Sequence, residues 1–309
     1  MKNLKFIFLI IIFVFLNSNI SNSQSPIKTD TVKYWDFNGN FGITFTQVSF
    51  TNWAKGGENS ITGLTFANLF ANYKKDRWEW DNYLLASYGL AQQGNDNEKI
   101  KKNDDRIELN SKIGYKQWNK LLWTFQTNFK TQFAPGYNYP NDTIVVSKFM
   151  APAYLILSLG LDYKPNKYLS LYFSPTTGRF IYVNDTAFST RYGIERGEKL
   201  APDFGWYFTA AYKNDSIITN VGIATKLSLF QNYTDKNVAN RKNIDVDWLG
   251  QILFKINSFL SASFDFHLIY DNDIQIPIYK DVNGEKVQIG TGPRTQWMQQ
   301  IGLGIVYKF

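Results

Sequence analysis

The sequence contains no cysteine and a single histidine, His267. Without cysteine there is no disulfide framework, so the stability of the protein must come from the fold itself. One histidine, with no carboxylates grouped at ligand spacing, does not make a zinc or calcium site. A phosphate-binding loop, a nucleotide fingerprint and a nucleic-acid signature are missing as well. We therefore expect no cofactor, no metal and no nucleic-acid partner.

Charge is not concentrated in any one stretch. The chain has 33 Lys and Arg against 26 Asp and Glu, which gives a formal net charge of +7. The cations are scattered through the segments between apolar runs. This distribution indicates a solvated surface that contacts anionic lipid head groups, and it does not indicate nucleic-acid binding.

Long apolar runs are absent beyond the first residues. Phe6–Leu16 is an unbroken apolar run that follows two lysines and precedes two small serines. It is too short for a membrane helix and is typical of a signal peptide. We expect a signal peptide over residues 1–23 and a flexible periplasmic segment over 24–35. No cysteine follows the run, which excludes lipid attachment of the lipoprotein kind.

Aromatic residues, by contrast, are abundant at 17% of the chain, and they alternate with polar ones. The last stretch, Gln296–Phe309, shows this best, because one face carries Trp297, Ile301, Leu303, Ile305, Tyr307 and Phe309 and is aromatic at both ends. Such alternation indicates a strand with one apolar face. The ending also resembles the signal that the outer-membrane barrel insertion machinery recognises, and its three elements here are Gly304, Tyr307 and Phe309. The last strand of a soluble sandwich is the alternative for this segment alone.

Similar alternation recurs in about twelve segments, each near the length that a tilted strand needs to cross a bilayer. The segments are Phe37–Phe50, Ile61–Tyr73, Trp78–Leu90, Arg106–Lys116, Leu121–Phe133, Ala153–Tyr163, Tyr168–Val183, Phe204–Tyr212, Ile217–Tyr233, Ile244–Ile256, Phe259–Tyr270 and Gln296–Phe309.

Connections between these segments alternate between short and long. The predicted short turns are Lys74–Arg77, Trp118–Lys120, Lys164–Lys167, Lys213–Ser216 and Ile256–Ser258. Outer-membrane barrels have short periplasmic turns and longer extracellular loops, whereas a sandwich has no reason to sort its loops by length. Lipid offers no hydrogen-bond partners, so the sheet must also close. We therefore predict an all-β fold, a transmembrane antiparallel up-and-down barrel over residues 36–309, in the outer membrane of a Gram-negative bacterium.

The polar face of the predicted strands gives a set of lumen-facing candidates with both signs of charge. They are Glu79, Asp81, Arg106, Glu108, Lys112, Lys116, Lys130, Asp162, Lys226, Asp247, Lys255, Asp265 and His267. A barrel of a dozen strands is narrow enough for side chains to fill. Mixed charges can pair in such a lumen, which favours a filled barrel, and a small polar pore is the alternative.

Two further sequence elements contain glycine or proline at positions that affect the backbone. The first predicted outer loop carries Trp53, Lys55, Gly56 and Gly57. Two glycines permit a tight loop, and the tryptophan could bind a partner or fold into the barrel mouth. Further along, Pro175 lies in a Ser-Pro-x-x-Gly element. This element is expected to bend or bulge its strand, since proline has no N–H to donate to the hydrogen-bond ladder of a sheet.

Three stretches carry a resemblance to a known family. Ser49–Ile61, Ala151–Pro165 and Leu169–Asp185 resemble an outer-membrane protein family of Bacteroidota that is described as a domain of unknown function. Its Asn-Trp-Ala-x-Gly-Gly and Ser-Pro-x-x-Gly elements both occur here. The resemblance implies an outer-membrane β-barrel, and it implies no substrate or activity.

The functional hypothesis is a barrel without enzymatic activity. It would be either a narrow channel for small polar solutes or a structural or accessory component of an outer-membrane complex, with a protein partner at the extracellular loops. The alternative is a lipid-modifying enzyme of the phospholipase type. His267 argues against that alternative, because alternation with Phe266 and Leu268 turns it inward. Ser263 lies on the same inner face, but residues along one face of a strand are not arranged for nucleophilic attack.

Overall fold

The computed structural model describes residues 33–48, 60–94, 100–137, 142–272, 276–282 and 285–309. Residues Tyr34–Phe309 form one compact unit. Its strands are β1 Trp35–Val48, β2 Ser60–Lys75, β3 Trp78–Gln93, β4 Lys101–Trp118, β5 Leu121–Thr131, β6 Gly136–Tyr137, β7 Val145–Ser147, β8 Ala153–Tyr163, β9 Leu169–Tyr182, β10 Leu200–Ile218, β11 Val221–Asn232, β12 Asp245–Lys255, β13 Leu260–Tyr270, β14 Ile276–Val282, β15 Glu285–Gly292 and β16 Gln296–Lys308.

Twelve of these strands form a closed barrel in the order β1-β16-β13-β12-β11-β10-β9-β8-β5-β4-β3-β2. Every neighbouring pair is antiparallel. Apart from two small hairpins, β6–β7 and β14–β15, each strand pairs with the strands next to it in the chain, and the first pairs with the last. The predicted up-and-down barrel is confirmed.

The connections sort by length at the two ends of the barrel. One end, called here the short-turn end, has the tight reversals between β2 and β3, β4 and β5, β8 and β9, β10 and β11, and β12 and β13. The other, called the long-loop end, carries both hairpins and two short 3-10 helices, η1 Thr186–Tyr192 and η2 Val238–Lys242. Among the residues that the structure describes, no helix combines the length and apolarity needed to cross a bilayer.

The exterior of the barrel is apolar and its interior is polar. On β16, Ile301 and Ile305 point outward and are 72% and 61% exposed, while Gly302 and Gly304 between them are buried. The same pattern on β5 exposes Trp123 and buries Gln126 and Asn128. This distribution is the inverse of a water-soluble domain and fits a sheet whose outer surface contacts lipid.

Aromatic side chains gather on the exterior near both ends. At the short-turn end, the ring of Trp35 lies 5.1 Å from Tyr73 and 5.6 Å from Trp80. Toward the long-loop end, Phe266 lies 5.0 Å from Trp248 and stacks 5.7 Å from Trp297. Two aromatic zones separated by aliphatic residues are typical of a barrel wall that meets both membrane interfaces.

The structure corrects the strand boundaries predicted from the sequence in two places. The turn predicted at Lys213–Ser216 is wrong: β10 continues to Ile218, and the chain reverses at Thr219 and Asn220. A register irregularity between Asn214 and Ile218 absorbs the polar residues, and Asn220 takes the left-handed turn conformation with φ 63°. Similarly, β4 begins at Lys101 rather than Arg106, and in this extension Lys102 pairs with Asp105 at 2.6 Å.

The predicted bulge around Pro175 is confirmed. Along β9, the register against β10 jumps from Ser174 to Thr177, and the register against β8 jumps from Phe173 to Thr176. Because proline has no N–H to donate, a bulge at this position costs the ladder few hydrogen bonds. The bulge resets the alternation, so that Arg179 faces the lumen beyond it.

Closure depends on β1 and β16. Their register runs from Asn40 opposite Lys308 to Phe45 opposite Leu303. Beyond it, Gly39 and Phe309 exchange two backbone hydrogen bonds of 3.1 Å each. Gly304 sits inside this seam, where an added Cβ would lie 2.3 Å from the carbonyl oxygen of Ile43. The seam therefore requires a residue without a side chain at that position.

Candidate functional site

Charged side chains from opposite walls meet in the middle of the lumen. Lys226 on β11 donates from Nζ to the hydroxyl of Tyr83 on β3 over 2.9 Å and pairs with Glu108 on β4 at 3.3 Å. Going round the sheet, β11-β10-β9-β8-β5-β4-β3 is six steps, half the circumference of the barrel. We call Tyr83, Glu108 and Lys226 the central bridge.

Glu108 is the centre of this bridge and is 0% exposed. Besides Lys226, it pairs with Arg106 at 2.5 Å and accepts hydrogen bonds from Tyr83 and Asn128, each of 3.0 Å. A buried carboxylate is tolerated only when charges and donors surround it. Two cations, a phenol and an amide meet that need here, so the bridge is chemically complete.

A second bridge lies next to the central one. Lys130 on β5 pairs with Asp247 on β12 at 3.0 Å, and the Nε2 atom of His267 on β13 lies 2.9 Å from the same carboxylate. Because β5 and β12 are also far apart round the sheet, this pair too crosses the lumen. The side chain of Asp247 is 31% accessible, so water reaches this bridge while it does not reach Glu108.

A third cluster closes the lumen near the short-turn end. Lys164, in the turn between β8 and β9, reaches Glu79 at 2.8 Å and Asp81 at 2.7 Å on β3. Beside it, Lys112 pairs with Asp162 at 2.7 Å and donates to Ser170 over 2.9 Å. Burial of Lys164 works against its charged form, yet the carboxylates of Asp81, Asp162 and Glu79 raise the pKa of Lys164 above its ordinary value.

A fourth cluster, toward the long-loop end, was not among the sequence candidates. Arg179 on β9 binds Asp203 on β10 at 2.9 Å and Asp245 on β12 at 2.7 Å, and its guanidinium lies 4.3 Å from the ring centre of Phe230. The bulge at Pro175 hides Arg179 from a simple parity count. For Asp245 the signal was available, since it shares the face of Asp247.

An aromatic cluster fills one side of the lumen. Tyr172, Tyr207 and Phe230, on three adjacent strands, are all buried, and Tyr172 donates to Ser158 over 2.9 Å. Parity also places Tyr83 and Tyr207 on the inner face, because Tyr83 alternates with the exterior residue Leu84, and Tyr207 lies between Trp206 and Phe208. The assumption that aromatic side chains face lipid hid these residues.

The remaining candidates are placed as follows. Asp265 faces inward and accepts a hydrogen bond of 2.6 Å from Gln251. Lys116 and Lys255 continue the inner rows of β4 and β12 at the short-turn end. Tyr307 and Phe309 lie on the exterior with rings 6.3 Å apart. The loop candidates Trp53, Lys55, Gly56 and Gly57 lie outside the described residues, as does the predicted signal peptide.

The charged groups of the lumen form ion pairs and hydrogen bonds with one another. Each acid of the two bridges has a basic partner or a donor within hydrogen-bond distance, and the contacts described for these acids include no serine or cysteine. Within the described ranges, no group of three or more His, Cys, Asp and Glu side chains is arranged to hold a metal ion. The interior can hold the walls of the barrel together across the lumen.

Comparisons with known proteins give a family match over part of this chain. Residues 45–137 match the family described as protein of unknown function (DUF3078). The match includes the Ser49–Ile61 stretch and is consistent with the resemblance noted from the sequence; the other two stretches lie outside it. No curated protein matches the chain.

Several solved structures are similar in architecture. A crystal structure of an outer membrane channel from Pseudomonas putida F1 is 12% identical, with 93% of this chain and 100% of that chain covered and a TM-score of 0.37. The outer membrane channel DcaP of Acinetobacter baumannii is 7% identical, with 89% and 97% covered and a TM-score of 0.34. A NanC porin structure is 9% identical, with 89% and 100% covered and a TM-score of 0.35. At these values the likeness carries no argument about function.

Proposed function

We propose that this protein is an outer-membrane barrel without enzymatic activity, closed in its middle by the central bridge, that serves as a structural or accessory component of an outer-membrane complex. The observation that carries this proposal is the contact of Lys226 with Tyr83 and Glu108 across the full width of the lumen. A solute would have to displace a buried, fully paired carboxylate to pass that point.

The outer-membrane location and the orientation rest on physical arguments. A closed sheet with an apolar exterior needs a bilayer, and closed barrels that span bilayers are built for the outer membrane. We assign the short-turn end to the periplasm and the long-loop end to the cell exterior, where the loops would meet a protein partner. Membership of a family from Bacteroidota remains a prediction.

Energetics favour a lumen that stays closed. Removing one partner of a buried ion pair costs about 3–5 kcal/mol, because the other charge is left without compensation. The central bridge and the Lys130–Asp247 pair both join distant walls, so opening would require several such pairs to break together. A passive pore at rest is not expected from this interior.

A narrow channel is the second candidate, and one observation favours it. Water-accessible charged groups lie on either side of Glu108, with the side chain of Asp81 39% accessible and that of Asp247 31% accessible. The lumen therefore has wetted regions toward each end. Displacement of the central bridge would join them into a path lined by charges of both signs.

Planar-bilayer recordings separate the two candidates. We expect no steady conductance for the wild type, and discrete current steps for the double variant Lys226→Ala/Glu108→Gln, which removes both charges of the Lys226–Glu108 pair. Lys167→Ala, in the exposed turn after β8, is the matched control and is expected to stay silent. If the wild type conducts steadily and charge variants of Lys112 or Lys130 change that conductance, the closed barrel is contradicted and the channel is favoured.

A further inference from the structure

The outer wall of the barrel carries an apolar groove of about 440 Å³ that spans β5, β8, β9 and the start of β10. Leu155 and Leu157 on β8 form its floor. The register sets Leu155 directly between Phe129 on β5 and Phe180 on β9, so two aromatic rings form opposite walls. We call this cavity the outer groove.

The groove exists because small residues interrupt the row of large ones. Gly178 lies opposite Leu157 and Phe204, and an added Cβ there would be 2.9 Å from Cε2 of Phe180. The ring of Phe180 therefore leans over Gly178 and meets Phe204 edge-on, at 6.2 Å. Ala153, one level nearer the long-loop end, leaves the space above Leu155 unfilled.

The groove faces the surroundings of the barrel, and in a bilayer those surroundings are acyl chains. Its lining offers no cluster of polar partners, and a water needs two to four of them to be held. Its volume is in the range of about 300–1,000 Å³ that small-molecule sites occupy. An extended hydrocarbon chain is therefore the chemical match for this cavity.

Two lysines lie close in sequence to the residues that line the long-loop end of the groove. Leu200, which lines it, directly follows the exposed Lys199. Met150, on the other side, lies two residues after Lys148, which pairs with Asp185 at 2.8 Å. An apolar slot that ends beside lysines suits a lipid with a negatively charged head group.

We propose that the outer groove binds one acyl chain of an anionic, phosphate-bearing lipid whose head group lies beside Lys199. The proposal rests on the placement of the barrel in a membrane, and it does not depend on whether the lumen is closed. It distinguishes one bound lipid from the mobile lipid around the rest of the wall.

Native mass spectrometry of the purified full-length protein, after addition of phosphatidylglycerol, tests this. We expect one lipid that survives detergent removal in the wild type. Leu155→Trp and, separately, Leu157→Trp fill the floor and should lower occupancy by about ten-fold, equivalent to about 1.4 kcal/mol. Ile113→Trp, on the β4 exterior at 38% exposure, is the matched control and should keep the lipid.

Several outcomes would overturn the proposal. One is a wild type that retains no lipid, and another is an equal loss of lipid in Ile113→Trp and Leu155→Trp. The third is a protein dimer in the wild type that Leu155→Trp abolishes, which would show that a second copy of the protein occupies the groove. Heat modifiability of each variant establishes that it is folded before binding is compared. Lys199→Gln should reduce the preference for phosphatidylglycerol over phosphatidylcholine about ten-fold. An unchanged preference would overturn the assignment of the anionic head group.

Discussion

The ammonium of Lys226 and the hydroxyl of Tyr83 lie 2.9 Å apart although their strands stand on opposite sides of the barrel. The same ammonium lies 3.3 Å from the carboxylate of Glu108. One side chain thus ties two adjacent strands, β3 and β4, to the far wall. The barrel is held together by its circumference of backbone hydrogen bonds and by these contacts through its middle.

Lys226→Met should destabilise the barrel by about 3–5 kcal/mol, because the buried carboxylate of Glu108 then loses one of its ion pairs. Glu108→Gln in the same background should recover part of that loss, with a coupling of about 0.5–3 kcal/mol. Urea unfolding in lipid vesicles, followed by tryptophan fluorescence, measures all three variants. Additive effects of the two substitutions would contradict the central bridge.

Gly304→Ala should lower the folded, heat-modifiable fraction and destabilise the barrel by about 1–3 kcal/mol, since the new Cβ meets the carbonyl oxygen of Ile43 at 2.3 Å. Gly63→Ala is the control, because its Cβ would meet Phe45 at an ordinary 3.5 Å.

Deletion of Phe309 should also reduce the folded, heat-modifiable fraction if the ending is an insertion signal. Undiminished folding of the deletion would show that the ending is a strand and nothing more.

Lys164→Ala should cost about 2–3 kcal/mol, because Glu79 and Asp81 each lose a charged donor. The pKa of Lys164 is raised in the folded protein, so its contribution is fully present below the unfolded value of about 10.4 and disappears as pH rises through the folded one. The difference between wild type and variant should therefore be constant from about pH 7 to 10 and shrink above that range. Lys167→Ala, in the same turn, should show no such difference, and an equal loss there would contradict the cluster.

Trypsin added to intact cells should cut between residues 184 and 199, where Arg191 and Arg196 are exposed on the long loop after β9. Mass spectrometry of the fragments reports the sites. The turn at Lys164–Lys167 belongs to the other end of the barrel and should stay intact. Cleavage there on intact cells would reverse the proposed orientation.

His267→Ala should leave phospholipid hydrolysis at the background of the wild type. His267 contacts Asp247 inside the lumen, while lipid meets the exterior residues Trp248 and Phe266. Release of fatty acid from labelled vesicles measures this directly. Hydrolysis by the wild type that vanishes in His267→Ala would restore the phospholipase alternative.

Alternation along the chain sufficed to predict most of the wall. The predicted boundaries of the segment Ala153–Tyr163 match β8, because a strand with lipid on one side and polar groups on the other leaves a period-2 record in the sequence. The face of Lys226 and Glu108 follows from the same record. Their contact does not, because it depends on the tilt and stagger of strands that are distant in sequence.

Irregular backbone geometry is the second reason why some residues could not be predicted from the sequence. A bulge shifts parity by one position, which is why Arg179 escaped the candidate set. The reversal at Asn220 was missed for a related reason: Lys213–Ser216 has the composition of a turn, but the irregular register of β10 carries it as strand. Composition records local preference, and here pairing with β11 overrides it.

The seam between β1 and β16 also governs how the protein can fold. Gly39 must find Phe309, the most distant pairing in the described chain, before the sheet has no free edge. Contacts of such large sequence separation form late and slowly, because the loop entropy is lost before the contact is gained. Every hairpin of the wall can form from neighbouring sequence, but closure cannot begin until β16 has been made. A chain truncated before residue 296 would therefore leave an open sheet with two unpaired edges, the form most exposed to aggregation and to proteases.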